Sequence, residues 1–509
     1  MSEAAINAPV PEAAVEHIDV LIVGAGLSGI GAACHLQRQL PGKSYAILEA
    51  REAIGGTWDL FRYPGIRSDS DMFTLGYSFR PWEQSEAIAD GPSILRYVRE
   101  TAREYGVEEK IRFGHKVVGA DWSSAESQWT VTAERSDTGE RVVFTAGFLY
   151  SCTGYYRYDE GYTPAFPGIE RFGGQTIHPQ HWPENLDYAG KRVVVIGSGA
   201  TAVTLVPSMA EQAEHVTMLQ RSPTYIATLP AVDRLAEQLR RFLPERAVYS
   251  IVRWKNVGRM MLSYQLSRRA PKLMRKLIRK GVEMQLPEGY DVDTHFEPKY
   301  DPWDERLCLV PGGDLFRALR SGKADVVTDR IETFTETGLK LESGRELEAD
   351  IVITATGLNL LIMGGLQASV DGEPVEISKT VGYKGMMFGG IPNFAIALGY
   401  TNASWTLKCD LVGEYVCRLL AHMDAQGYRV ATPRAPAPSQ PTEAFIGLQS
   451  GYVLRSLDQL PKQGATHPWR LHQNYPRDIR LLRHGPVDDQ MDFARGPVVT
   501  PAEQALTPA

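Results

Sequence analysis

Three glycines, Gly24, Gly26 and Gly29, follow the apolar start of IDVLIVGAGLSGIGAACHL in the order G-x-G-x-x-G, and a second apolar stretch, SYAILE, ends in Glu49. This pattern suits dinucleotide chemistry. Gly24 permits a tight turn, Gly26 lets backbone approach a pyrophosphate, Gly29 lets a helix pack closely on a strand, and the acid bonds ribose hydroxyls. The pattern recurs in KRVVVIGSGATAVTLVPSMA, where Gly197 and Gly199 are followed by Ala202 at the third position. The next strand, HVTMLQRSP, ends in Gln220 and Arg221. Arginine pairs with a 2′-phosphate that an acid would repel. Two nucleotides are implied, FAD at the acidic first site and NADPH at the basic second, with hydride passing to flavin. Plainer readings stay open for Glu49 and Arg221 as solvated strand-end charges.

Each pattern requires a strand, a turn and a helix whose N-terminal amides and dipole face the phosphates. Two further apolar strands, FLYSCTG ending at Gly154 and ADIVITATGLN reaching Gly357, suit a chain passing between domains, though read alone either fits any buried strand. The expected fold is α/β, two Rossmann-like dinucleotide-binding domains with an inserted helical lobe. The expected boundaries are a disordered tail over 1–17, a first FAD-domain part over 18–158, and a linker with the first NADPH-domain part over 159–225. A basic helical insertion follows over 226–300, then NADPH-domain residues 301–345, FAD-domain residues 346–490 and a C-terminal tail over 491–509.

A chain of 509 residues exceeds one core and favours a multi-cofactor enzyme over a small binding module. With 43% hydrophobic residues, 23% charged residues and a net charge of −7, nothing global points to nucleic acid. The five cysteines are scattered singly, without C-x-x-C or metal-ligand spacing, so no disulfide framework, disulfide-reductase pair or metal site is expected. The N-terminus lacks a basic region and an apolar core, and no run approaches a bilayer span. A cytoplasmic enzyme is expected. Arg234 to Lys280, rich in Arg and Lys, leaves peripheral membrane contact open beside a solvated lobe over the substrate pocket.

Two stretches carry a family resemblance: GGTWDLFRYPGIRSD, with Gly55, Gly56, Trp58, Tyr63, Pro64, Gly65 and Asp69, and RFGGQTIHPQHWP, with Phe172, Gly174, His178, Trp182 and Pro183. They match G-G-x-W-x(4)-[FY]-P-G-x(3)-D and F-x-G-x-x-x-H-x-x-x-W-P. On them the chain resembles the type I Baeyer-Villiger monooxygenases of the flavin-containing monooxygenase superfamily. Through YPGIRSDSDMFTLGYSFRPW, GSGATAVTLVP and GYTNASWTLK it is similar to the ethionamide-activating subgroup, from about Ile18 to past Tyr475.

The resemblance implies that NADPH reduces FAD, that O₂ adds to form a C4a-peroxyflavin, and that ketones become esters or lactones. Sulfide and thioamide S-oxidation would accompany this. By the same resemblance Arg306, in DPWDERLCLVPGGDLF, is the catalytic cation and Asp69 the acid that orients it, with an N-cap as the alternative for Asp69. Glu305 stands where the family often has lysine, leaving that NADPH contact unassigned. Ser28, Glu49, Thr57, Trp58, Asp59, Leu60, Asp69 and Val117 would neighbour FAD. Arg67, Ser68, Gly197, Ser198, Gly199, Ala200, Thr201, Ala202, Thr204, Gln220 and Arg221 would neighbour NADPH. His178 is expected to hold the linker and Trp182 to anchor packing. The rivals are a flavin N- or S-monooxygenase without ketone oxidation and a non-catalytic redox sensor. Pocket shape, the particular ketone or sulfide, and oligomeric state are not encoded legibly.

Overall fold

The strand Glu16–Val23 lies inside the first sheet, paired in parallel with Tyr45–Leu48 on one side and Arg141–Ser151 on the other. Its last four residues are buried, so the sequence shows a continuous apolar run instead of alternation. Arg141–Ser151 is shared: its start pairs antiparallel with Gln128–Arg135, its end parallel with Phe394–Ile396. The computed structural model describes residues 15–437 and 439–496. Most of the tail expected over 1–17 and the end of the one expected over 491–509 lie outside these residues.

The second sheet has five parallel strands in the order Ala324–Thr328, His215–Gln220, Arg192–Ile196, Ile351–Thr354 and Gln175–Ile177. Two crossings join the sheets. Tyr156–Gly161, leaving the first, pairs antiparallel with Leu358–Leu360, returning from the second. Gly24 and Gly197 turn the two equivalent strands out at φ of 103° and 140°. A Cβ there would stand 2.7 Å from the Cys152 carbonyl and 2.3 Å from that of Ala355, the residues that begin the crossings.

Three expected boundaries shift. Ile351–Thr354, assigned by sequence to the second FAD-domain part over 346–490, belongs to the second sheet, because its buried apolar residues pair with Arg192–Ile196. Met491–Ala494, assigned to the C-terminal tail, pairs with Val430–Pro433, and the first strand begins at Glu16, inside the expected N-terminal tail.

The helix Leu27–Gln39 packs on Trp405–Gln426, with His35 and Asp410 paired at 3.1 Å in the buried seam. The helical lobe is bracketed by Ile226–Leu229 and Cys308–Pro311, which pair in parallel. Inserted in the second domain, it docks on the first. Buried Arg253 of helix Glu245–Arg269 donates to the Phe73 and Gly76 carbonyls at 2.9 and 2.8 Å and lies 3.6 Å from Asp410. The charge is thus both bonded and opposed, as burial demands.

Candidate active site

Both glycine turns open into one cavity of about 1590 Å³, lined by residues of each sheet and both crossings. A single small-ligand pocket holds roughly 300–1,000 Å³, so there is room for more than one ligand. The helices Leu27–Gln39 and Ala200–Met209 start on this cavity at Gly26 and Gly199, with no side-chain cap and no acid in the first turn. By contrast Asp90 caps Gly91–Glu104 and Asp233 caps Arg234–Leu239. Two uncapped N-termini leave amides and positive dipole ends for anions. That donor set fits the phosphates of two dinucleotides.

At the first turn Glu49 is buried, its oxygens accepting the Ala25 amide at 2.6 Å and the Arg51 amide at 2.9 Å. Burial raises its pKa despite these bonds. Gly24, Gly26, Ser28, Thr57, Trp58 and Val117 share the cavity wall. Around the second turn stand Gly197, Ser198, Gly199, Ala200, Thr201, Thr204 and the exposed Arg221, with Ser198 Oγ 2.8 Å from Thr224 Oγ1. Ser68 and Arg67 also line it, and Arg67 forms an ion pair with Asp314. Glu305, its pKa raised by burial and opposed by Arg221, adds a carboxyl group to the same wall.

Asp69 and Arg306 meet in the wall of the same cavity, Oδ2 to Nη2 at 2.7 Å. Helix Met72–Leu75 takes Asp71 as its N-cap, accepting from the Thr74 amide at 3.1 Å. Asp69 is therefore spared for the arginine. Some 35% of the Arg306 side chain meets the open cavity, yet protein encloses it. Asp69, ahead of the tyrosines Tyr155, Tyr156 and Tyr452, holds its pKa well above the usual arginine range. The cation is permanent.

The tyrosines were missed in the sequence. The hydroxyls of Tyr155 and Tyr156 lie 2.8 Å apart, and Tyr452 lines the cavity beside Arg306. Tyr155 stacks on Trp405 at 5.1 Å between centroids, and the Trp405 indole donates to Ser28 Oγ at 2.8 Å. An aromatic wall thus runs from the arginine to the first nucleotide helix. The doubled tyrosine in TGYYRY was a signal available locally; Tyr452 and Trp405 were not, since only the fold brings them near.

Five expected cofactor neighbours do not line the cavity. Gln220 is buried, its amide donating to the His295 carbonyl and Thr328 Oγ1, each at 2.8 Å. Asp59 is buried and serves as counterion to Arg51 and Arg99, at 2.7 and 3.0 Å. Leu60 packs into the second-domain core, and Ala202 is fully buried. Gly29 acts through packing alone: a Cβ would stand 1.9 Å from the Gly24 carbonyl.

His178 sits in the linker. Its Nδ1 accepts from the Gln180 amide and its Nε2–H donates to the Gly357 carbonyl, both at 3.2 Å. Burial lowers its pKa, so it is a neutral staple between the crossings. Trp182 packs on the second-domain core.

Residues 18–371 match the model of the flavin-binding monooxygenase-like family. The chain is 60% identical over 484 residues, 95% of its length and 99% of the relative's, to the FAD-containing monooxygenase EthA of Mycobacterium tuberculosis. It is 51% identical over 476 residues, 93% of its length and 95% of the relative's, to the probable FAD-binding monooxygenase AlmA of Acinetobacter baylyi. The solved structure of oxidized steroid monooxygenase bound to NADP shares the fold, with a TM-score of 0.75 at 24% identity over 94% of this chain and 100% of that one.

Proposed function

This chain belongs to the flavin-binding monooxygenase-like family, and from that premise we propose that it is an NADPH- and O₂-dependent Baeyer-Villiger monooxygenase containing FAD. It converts ketones to esters or lactones, with sulfide and thioamide S-oxidation as an additional activity. EthA and AlmA are named for FAD, and the steroid monooxygenase holds NADP, which supports FAD at the Glu49 end and NADPH at the Arg221 end. When bound, the flavin reduced by NADPH supplies activation of dioxygen, one atom entering the substrate and the other leaving as water.

The observation that carries the reading is the Arg306–Asp69 pair in the cavity onto which two uncapped helix N-termini open. Oxygen insertion beside a carbonyl develops negative charge, which a fixed cation stabilises without reorganisation. Arg306 provides that charge at any working pH. Asp69 restrains the guanidinium to one orientation, and Tyr155, Tyr156 and Tyr452 line the cavity beside it. Gly26, Ser28, Glu49, Thr57, Trp58 and Val117 hold FAD. Gly199, Ala200, Thr201, Thr204 and Arg221 hold NADPH, assisted by Arg67, Ser68 and the Ser198 hydroxyl. The five buried, unpaired cysteines accord with work in the reducing cytoplasm.

The test is a panel of linear, aromatic and cyclic ketones with thioethers, following NADPH oxidation and product mass. Esters or lactones carrying one added oxygen are expected. Sulfoxide without any ester would instead assign a flavin S-monooxygenase.

A further inference from the structure

We propose that the outward face of helix Pro271–Glu283, continued to Met284, docks on anionic lipid bilayers. This inference stands apart from the assigned reaction. Between Arg234 and Lys280 the chain carries fourteen Lys and Arg against two acids, within a protein of net charge −7. Of the twelve large hydrophobic side chains exposed among the described residues, eight fall between Phe242 and Met284. Positive charge and exposed apolar surface are concentrated in the same lobe.

Within the helix the basic residues divide by direction. Arg275 pairs with Asp301 at 2.6 Å and Arg279 with Glu283 at 2.7 Å and with Asp293 and Glu297, so both arginines are spent on the protein's own acids. Lys272, Lys276 and Lys280 are exposed and have no ion-pair partner among the described residues. Their four-residue spacing sets them in one row. Beside that row, at 100° per residue, stand Leu273, Leu277 and Met284, exposed by 48%, 51% and 73%. The outward residues span roughly 140° of helix surface. The adjoining helix Glu245–Arg269 also exposes Trp254 and Leu262, by 50% and 70%.

An apolar row flanked by unpaired lysines matches the layering of a membrane surface. The apolar side chains enter the acyl boundary, while lysine stems follow them and keep their ammonium groups among anionic headgroups. An acidic protein partner would satisfy the lysines but leave no reason for the neighbouring row of leucines. Among the described residues no helix is long and apolar enough to cross a membrane, so the helix lies on the surface.

The experiment is co-sedimentation of the FAD-loaded enzyme with phosphatidylcholine–phosphatidylglycerol vesicles against pure phosphatidylcholine, at low and moderate salt. Wild type should pellet with the anionic vesicles and be released by salt. Each lysine contributes roughly fivefold to partitioning. K272E/K276E/K280E should therefore lose roughly a hundredfold or more, and L273S/L277S should release the protein even at low salt. Unchanged flavin absorbance and circular dichroism verify folding; should the triple variant misfold, K276E alone should still lose roughly fivefold or more. No pelleting of wild type, or equal pelleting of the lysine variants, would overturn the proposal. So would self-association that L273S/L277S abolishes without vesicle binding, which would give this face to a second copy.

Discussion

At the end of its second strand the first nucleotide-binding unit keeps Glu49 in the cavity wall, whereas the second unit turns Gln220 inward and leaves Arg221 to face the cavity. The helix seats differ too. Gly29 lies where its own turn would collide with a methyl group, while Ala202 carries that methyl in a fully buried position. One scaffold has been set at two spacings. The first unit holds an acid on backbone amides; the second presents a cation from its strand end. Position in a motif therefore fixes which backbone approaches a ligand, but packing behind the strand decides which side chain does.

The largest effect should come from the tight seat. Gly29→Ala drives a methyl into the Gly24 carbonyl, a backbone atom that cannot give way, and overpacking of this kind costs about 3 kcal/mol at the upper end of its usual range. Loss of FAD and a collapsed melting temperature are expected, against about 1 kcal/mol for Ala202→Gly. Equal effects would erase the distinction. At the strand ends Arg221→Ala removes a charge-assisted contact of about 1.5–3 kcal/mol, raising KM for NADPH by roughly ten- to a hundredfold and leaving that for NADH alone. Gln220→Ala should instead lower stability by about 1–3 kcal/mol with KM unchanged, since it strands the His295 carbonyl. A KM effect at Gln220 would show that the inward orientation is wrong.

The smallest effect concerns pH. Burial, with Arg477 nearby, lowers the His472 pKa from 6.5 to about 4. The unfolded chain then binds the proton more readily, so stability is complete above pH 6.5 and falls as pH drops toward about 4. His178, lowered in the same direction, adds to this slope. His472→Asn should flatten it in melting curves across that window; an unchanged slope would remove His472 as a contributor.

Much of the site was legible because its signals are local. Glycine turns and strand-end charges each fall within a few residues, where backbone geometry is set by neighbours. Asp69 and Arg306 were legible only through family resemblance. Tyr452 and Trp405 were not legible, since nothing in their own segments points to a residue more than ninety positions away. Ser68, Asp69, Ser70 and Asp71 are all competent caps, and only the helix start at Met72 selects Asp71. Asp59 looked like a cofactor neighbour by place in its motif, but Arg51 and Arg99, brought by a turn and a distant helix, claim it. The membership of Ile351–Thr354 was ambiguous because an apolar run does not name its partner strand.

The central claim is that Arg306, held by Asp69, stabilises the charge that oxygen insertion develops. It is tested most directly by Arg306→Ala in the purified flavoprotein, measuring ester formed per NADPH consumed with a ketone that wild type accepts. The variant should retain FAD and oxidise NADPH while ester formation falls by roughly 10²–10³-fold, as when a preorganised donor is removed from an oxyanion site. Ester formation at the wild-type rate would contradict the account.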